Sequence, residues 1–407
     1  MKAKMLRETL ETPVRYEYDV LVVGGGVAGI AAALAAARNG AKVMLVEKQY
    51  MLGGLATAGL VTIYLPLCDG KGNQVTYGIA EELLRLSIQH GYESGYPAPW
   101  LEAGREQEKE QVRFQVRYNA QLFAIQAEQL LLDSGVFVLY GTSVCGVYKQ
   151  GDRIDSVIIE NKSGRSAIRA SGVIDCSGDA DVCAMAGEDT GLFAPGNILA
   201  AWYYYATKNG YDLSMLGVAE IPEEDRTEET VPLIARRFQG IEEEELSQMV
   251  QLSHKQILEQ VIKKQEEKGD YMPVTIATIP QIRMTRRIEG CYTMGTNDEF
   301  KNFSDSVGLF SNWKKRGPVY QLPFRSLIGK KLRNLITAGR NISATDAMWD
   351  VTRVIPVCAL SGQAAGTAAA MCSDFQNMDV TLLQEKLQKD GVRLWYDQIP
   401  GLRMKQE

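Results

Sequence analysis

The sequence predicts an α/β fold in which a second, α+β unit is inserted into the first. Three observations carry this. A strand, a glycine turn, a helix and a second strand follow one another between Tyr18 and Leu60. Buried strands that run into glycine recur near residues 172–178 and 334–339. Between them, from about Gly196, the chain turns aromatic and then strongly charged with no low-complexity linker, the pattern of an insertion and not of a trailing domain.

Asp19 to Val23 is a short, β-rich apolar run of the kind that parallel sheets bury on both faces. It leads straight into Gly24-Gly25-Gly26-Val27-Ala28-Gly29. From Ile30 to Asn39, eight of ten residues are Ala, Leu or Ile, which predicts a helix, and Gly40 stops it. Ala41 to Val46 is the second strand, and Glu47 ends it. Gly24, Gly26 and Gly29 fit G-x-G-x-x-G: the first permits the turn, the second admits a pyrophosphate to the backbone, and the third allows close packing of helix on strand. The helix N-terminus offers free N–H groups to the phosphates, and Glu47, 23 positions after Gly24, is placed to accept from a ribose. The unit therefore reads as a dinucleotide-binding βαβ fold.

Composition excludes several classes. Lys plus Arg number 44 against 50 Asp plus Glu, so the chain lacks the basic excess that phosphate-backbone binding requires. The longest strongly apolar stretch, Val27 to Ala37, is shorter than the ~20 residues of a membrane span, and the charged first 17 residues do not resemble a secretory signal. Cytoplasmic residence is the simplest expectation. Seven scattered cysteines without a C-x-x-C pair argue for reduced thiols. With His90 and His254 as the two histidines, neither a zinc site nor a Ser-His-Asp hydrolase has enough to work with. No metal is expected, and the chemistry must come from an organic cofactor.

Further helices are expected at Tyr77 to Gly91 and Asn119 to Ser134, followed by a strand at Val136 to Tyr140. A meander of strands at Ser143 to Tyr148, Ser156 to Glu160 and Arg165 to Ala170 leads to a separate buried strand at Gly172 to Asp175. In the inserted region Glu223 to Glu229 is acidic, and 241–268 reads as a charged amphipathic helix with Leu246, Val250, Ile257 and Val261 along one stripe. A small-residue helix is expected from Ser361 to Met371, with Gly362 and Gly366 marking something packed very close.

These residues together resemble the bacterial FAD-dependent oxidoreductase family, which has a glutathione-reductase-like, Rossmann-like FAD-binding fold. The resemblance runs through the glycine turn, Leu52-Gly53-Gly54-Leu55-Ala56-Thr57, the block 173–181, the block 282–290, Gly339 to Thr345, Arg353 to Pro356 and 362–369. It implies FAD, with Gly24, Gly26, Val27, Ala28 and Gly29 on the pyrophosphate and Glu47 on the adenosine ribose. It places Lys48, Gly53, Gly54 and Leu55 beside the ADP part, Val144 against the adenine, and Ser177, Gly178 and Asp179 over the cofactor. Gly339, Arg340, Gly362 and Ala364 would flank the pyrophosphate, ribityl chain and flavin. The implied layout is an FAD-binding domain in two parts, 1–195 and 319–407, around a substrate or cap unit at 196–318. The chain departs from the family at Asp346, where His is common, and at Cys176, where Ala or Thr is common. The first departure removes a histidine acid or base.

An enzyme of this kind passes a hydride between a small organic substrate and flavin N5, the protein supplying orientation and electrostatics. Arg283, Arg287 and Arg353 are the candidates for catalytic contact with an anionic or carbonyl substrate. If 281–290 were a strand, Arg283 and Arg287 would share one face and Arg286 the other; the competing reading makes these arginines structural ion pairs. Cys358 reads as a buried thiol. The helix 361–371 would present its N-terminus to the reduced flavin. With a single G-x-G-x-x-G, a dedicated nicotinamide domain is not expected. The alternatives are an electron-transfer subunit serving a redox protein partner and a flavin monooxygenase. The expected partners are a small-molecule substrate and, beyond it, a redox protein or a second copy of the chain, with no nucleic acid and no membrane.

Overall fold

The computed structural model describes residues 6–217 and 232–402; the acidic run 223–229 lies outside the described residues. Its main sheet has seven strands. The parallel part runs in the order Phe137–Leu139, Val43–Val46, Val14–Val23, Gly164–Asp175, with Leu335–Thr337 also beside Gly164–Asp175. Register explains where the site falls. Val23 lies opposite both Val46 and Asp175, and Asp175 opposite Thr337. The strands thus end on one line, and Gly24, Glu47, Cys176 and Ala338 follow along a single carboxyl edge of the sheet, where open α/β folds bind their ligands.

The first strand is ten residues long, and the residues expected to form two elements, Arg165 to Ala170 and Gly172 to Asp175, are one strand, Gly164–Asp175. Its first half pairs antiparallel with Arg153–Asn161, which pairs in turn with Ser143–Gln150. Side chains alternate across the central strand: Val20 and Val22 face the helices, Leu21 and Val23 face the meander.

On the first face lie the helices Val27–Arg38 and Ile355–Met371. Both are buried almost all round, and they touch through glycine. The latter helix begins six residues before the expected Ser361, because Pro356 falls in its first turn, where a missing N–H costs nothing. Among the described residues no single helix is long and apolar enough to cross a membrane.

A second layer closes over the carboxyl edge. It contains the antiparallel sheet Gly210–Leu216, Ala201–Thr207, Met272–Ile276, covered by the helix Glu243–Lys268 through Ile257 and Val261. Two pairings cross the expected boundaries. Thr190–Leu192 pairs with Arg286–Ile288, and Ser306–Ser311 pairs with Val319–Pro323, so a cut at 318 falls inside a hairpin whose Gly308 rests on Leu360 of the last long helix.

Candidate active site

A cavity of about 510 Å³ runs along the carboxyl edge of the sheet and beneath the second layer. Its first part is made of backbone. Gly24, at φ +100°, turns the chain so tightly that a Cβ there would lie 2.5 Å from the Cys176 carbonyl oxygen, and a Cβ at Gly29 would lie 1.9 Å from that of Gly24. Gly26 differs. It caps the 27–38 helix at φ −66°, a conformation open to any residue, and a Cβ there would meet nothing within 4 Å. Gly26 is thus the position where an added side chain would enter the cavity and displace what binds there. No side chain caps this helix and no acidic residue stands in its first turn, so its terminal N–H groups and the positive end of its dipole remain available to an anion.

Glu47 is buried and holds the glycine turn directly. Its Oε2 accepts from the Gly25 N–H at 2.6 Å, and its Oε1 accepts from the Gln49 N–H at 2.7 Å. Each oxygen keeps a second lone pair for a ribose hydroxyl. Lys48, Val144, Gly53, Gly54 and Leu55 line the same end. Gly53 and Gly54 both have positive φ, and a Cβ at Gly54 would lie 3.3 Å from the Gly26 Cα.

Ser177, Gly178, Asp179, Gly339 and Arg340 also line the cavity, with Arg340 packed against Gly178. Arg340 pairs with Asp179 at 3.3 Å, and its Nη1 donates to the carbonyls of Ile282 and Arg283 at 3.1 and 2.8 Å. Thr285 Oγ1 donates to the same aspartate at 2.6 Å. The 355–371 helix reaches the cavity with Val354, Ile355 and Cys358, again without a side-chain cap or first-turn acid. Burial pushes the Cys358 thiol up to about 12, so it stands protonated, as a packed thiol does. The far wall is apolar, formed by Val61, Ile63, Leu65, Leu246, Ile279 and Ile282.

Arg283 and Arg353 line this part of the cavity; Arg287 does not. The strand that contains Arg287 is three residues long, Arg286–Ile288, so period two does not extend to Arg283. Arg287 instead lies over the Trp349 ring at 5.0 Å and faces Asp346 at 3.7 Å. Arg286 donates to Asp181 at 2.8 Å. Both thus make ion-pair contacts away from the cavity wall formed by Arg283 and Arg353. Arg353 is held by Asp350, which also pairs with Lys314.

Three expected cofactor residues lie off the cavity. Gly29, Gly362 and Ala364 are packing positions: Gly362 and Gly366 meet the carbonyls of Ala28 and Ala32, and Ala364 is fully buried. What packs close to the 355–371 helix is the 27–38 helix. Two positioning residues escaped the sequence reading. Asn197 Oδ1 accepts from the N–H of Arg283 and of Met284 at 3.2 and 3.0 Å, while its Nδ2 donates to Phe238 and Met284 carbonyls. Gln281 bridges Trp202 and Gly59 at 2.7 Å on each side. A lone Asn or Gln carries no spacing signal.

The donor set fits FAD: a side-chain-free cradle with an open helix N-terminus for the diphosphate, a buried acid at the end of the second strand for the ribose, and a second helix N-terminus in the same cavity for the ring. Among curated proteins the chain is similar to thioredoxin reductase of Ureaplasma parvum serovar 3, 38% identical over 77 residues, or 19% of this chain and 25% of that protein. It is also similar to an iron-sulfur subunit of the CoB–CoM heterodisulfide reductase of Methanopyrus kandleri, 49% identical over 53 residues, or 13% and 8%. The matches thus span a quarter or less of these relatives. Among solved structures, a geranylgeranyl bacteriochlorophyll reductase-like protein of Thermoplasma acidophilum is 16% identical at TM-score 0.43, over 92% of this chain and 83% of that one. The OxyS anhydrotetracycline hydroxylase of Streptomyces rimosus is 11% identical at TM-score 0.41, over 91% and 65%. Residues 19–197 and 193–389 match the model of the family described as FAD dependent oxidoreductase. The chain belongs to that family.

Proposed function

We propose that the protein transfers a hydride between a small organic substrate and FAD. The observation that carries this is the division of the cavity, backbone and helix termini along one stretch and an apolar, arginine-bearing wall along the other. In this reading the turn 24–29 and the N-terminus of the 27–38 helix hold the diphosphate, Glu47 the ribose, Lys48, Gly53, Gly54 and Leu55 the rest of the ADP part, and the Val144 backbone the adenine. Ser177, Gly178, Asp179, Gly339 and Arg340 line the passage between the two halves, and Arg340 is fixed there by three contacts. FAD, when bound, supplies the redox chemistry at its isoalloxazine ring.

The residues around the ring site orient and exclude. The first turn of the 355–371 helix, with its free N–H groups, favours negative charge beside it. The wall of Val61, Ile63, Leu65 and Ile279 keeps water from the reacting atoms. Cys358, protonated, contributes volume and no thiolate. No histidine lines the cavity, so acid–base assistance from the chain would have to come from elsewhere than an imidazole.

The test is an anaerobic titration of the bound-flavin visible spectrum with small organic acids, sugars and reduced nicotinamides. Bleaching by one class of small molecule is the expected result. Bleaching that requires a redox protein would replace this reading with the electron-transfer one, and oxygen-dependent product hydroxylation would replace it with a monooxygenase.

A further inference from the structure

Three guanidinium groups from separate segments, Arg283, Arg340 and Arg353, line one cavity. Two have a direct carboxylate partner, Arg340 in Asp179 and Arg353 in Asp350, the latter shared with Lys314. Arg283 does not. Among the described residues it has no ion pair; its Nη1 donates to the Gln281 carbonyl at 3.3 Å and its Nη2 has no hydrogen-bond partner, although the residue is only 8% exposed. Burial, with Arg353 and Arg340 near and Asp350 opposing them, pulls its pKa down to about 9, which still leaves it charged at neutral pH.

Asp350 acts on Arg283 from beyond ion-pair distance, but a buried guanidinium with an unbonded N–H and no direct carboxylate partner is still costly, and a fold carries it when a ligand supplies the missing anion. The chain holds this one with care. Asn197 fixes the backbone N–H of Arg283, Arg340 fixes its carbonyl, and the Trp202 ring lies 5.1 Å from its guanidinium carbon. The same cavity is lined by the apolar side chains of Leu246, Ile279, Pro280 and Ile282, with the Thr278 hydroxyl beside them.

We infer that Arg283, with Arg353 in the same cavity, takes the carboxylate of the substrate, so that the substrate class is a small organic acid whose carbon skeleton lies on the apolar wall. A planar guanidinium matches a carboxylate in a two-pronged contact that neither an alcohol nor an amide provides. The inference rests on the FAD-dependent reading above.

The test follows the visible spectrum of the FAD-loaded protein at constant ionic strength during titration with benzoate and succinate, and with benzamide and succinamide. At least one acid should perturb the spectrum saturably while its amide does not. Arg283→Met should weaken that binding about 30-fold, the size expected of a lost charge-assisted contact. Arg283→Lys should weaken it less, and Arg287→Met, outside the cavity, not at all, with FAD content unchanged in all three. The inference is overturned if no acid perturbs the flavin, if acid and amide act alike, or if Arg283→Met binds the acid as wild type does. Loss of FAD from Arg283→Met overturns it too, by assigning the arginine to the cofactor. The wild-type acid and amide comparison stands even if Arg283→Met does not fold. A protein that takes up no FAD at all overturns the cofactor reading instead, a distinct outcome.

Discussion

Gly362 rests on the carbonyl oxygen of Ala28, so close that a Cβ at position 362 would lie 2.3 Å from it. One turn on, Gly366 repeats the contact at the Ala32 carbonyl, at 2.1 Å. The first and last long helices therefore meet backbone to backbone, and this contact sets where the N-terminal end of the first helix stands relative to the sheet.

Replacing Gly362 by alanine pits about 1 kcal/mol of gained helix propensity against forced separation of the helices. The overpacking dominates at 2.3 Å. The variant should be destabilised by about 1–3 kcal/mol in denaturant unfolding, with weaker FAD retention on dilution. Equal or greater stability than wild type would show that the helices separate freely.

Gly26→Ala should behave in the opposite way. Its φ suits alanine and the new Cβ meets no protein atom, so the apoprotein should unfold within ~0.5 kcal/mol of wild type. FAD affinity, measured by fluorescence on reconstitution, should fall at least ~10-fold, because the methyl occupies the diphosphate's approach. A variant with wild-type affinity would move the diphosphate away from this turn.

Arg287→Ala should keep its FAD and its turnover. What it loses is the stacking on Trp349 and a weak pairing with Asp346, about 1 kcal/mol of stability. A catalytic collapse with normal stability would return Arg287 to the site.

Cysteine alkylation separates the thiols by environment. Cys145 and Cys291 are exposed; partial burial of their sulfurs raises both thiols, so they should be modified by iodoacetamide in the native protein at about pH 9, as read by mass spectrometry. Cys358, buried and pushed up to about 12, should be modified only after unfolding. Rapid native labelling of Cys358 would make it a reactive group of the cavity.

The legibility of the sequence follows locality. The βαβ unit was readable because strand, turn, helix and acid lie within thirty residues, and the structure keeps that order with the helix starting at Val27. Two boundaries misled. Ser171-Gly172 looks like a break yet sits inside a strand, since Val20 of the neighbouring strand pairs with Gly172. Pro356 looks like a stop yet occupies a first helical turn. The arginines were harder. Whether Arg283 or Arg287 faces the cavity depends on Trp202, Asn197 and Trp349, each more than sixty residues away, and no spacing rule reaches that far.

Asn197 joins the segments at 238 and 283–284 through one carboxamide. Much as a keystone fixes an arch, it makes the direction of a guanidinium depend on a residue that never meets a ligand. If Arg283 takes the substrate as proposed, drift at this position would be felt first as altered substrate selection, while the yellow colour of the protein stayed the same.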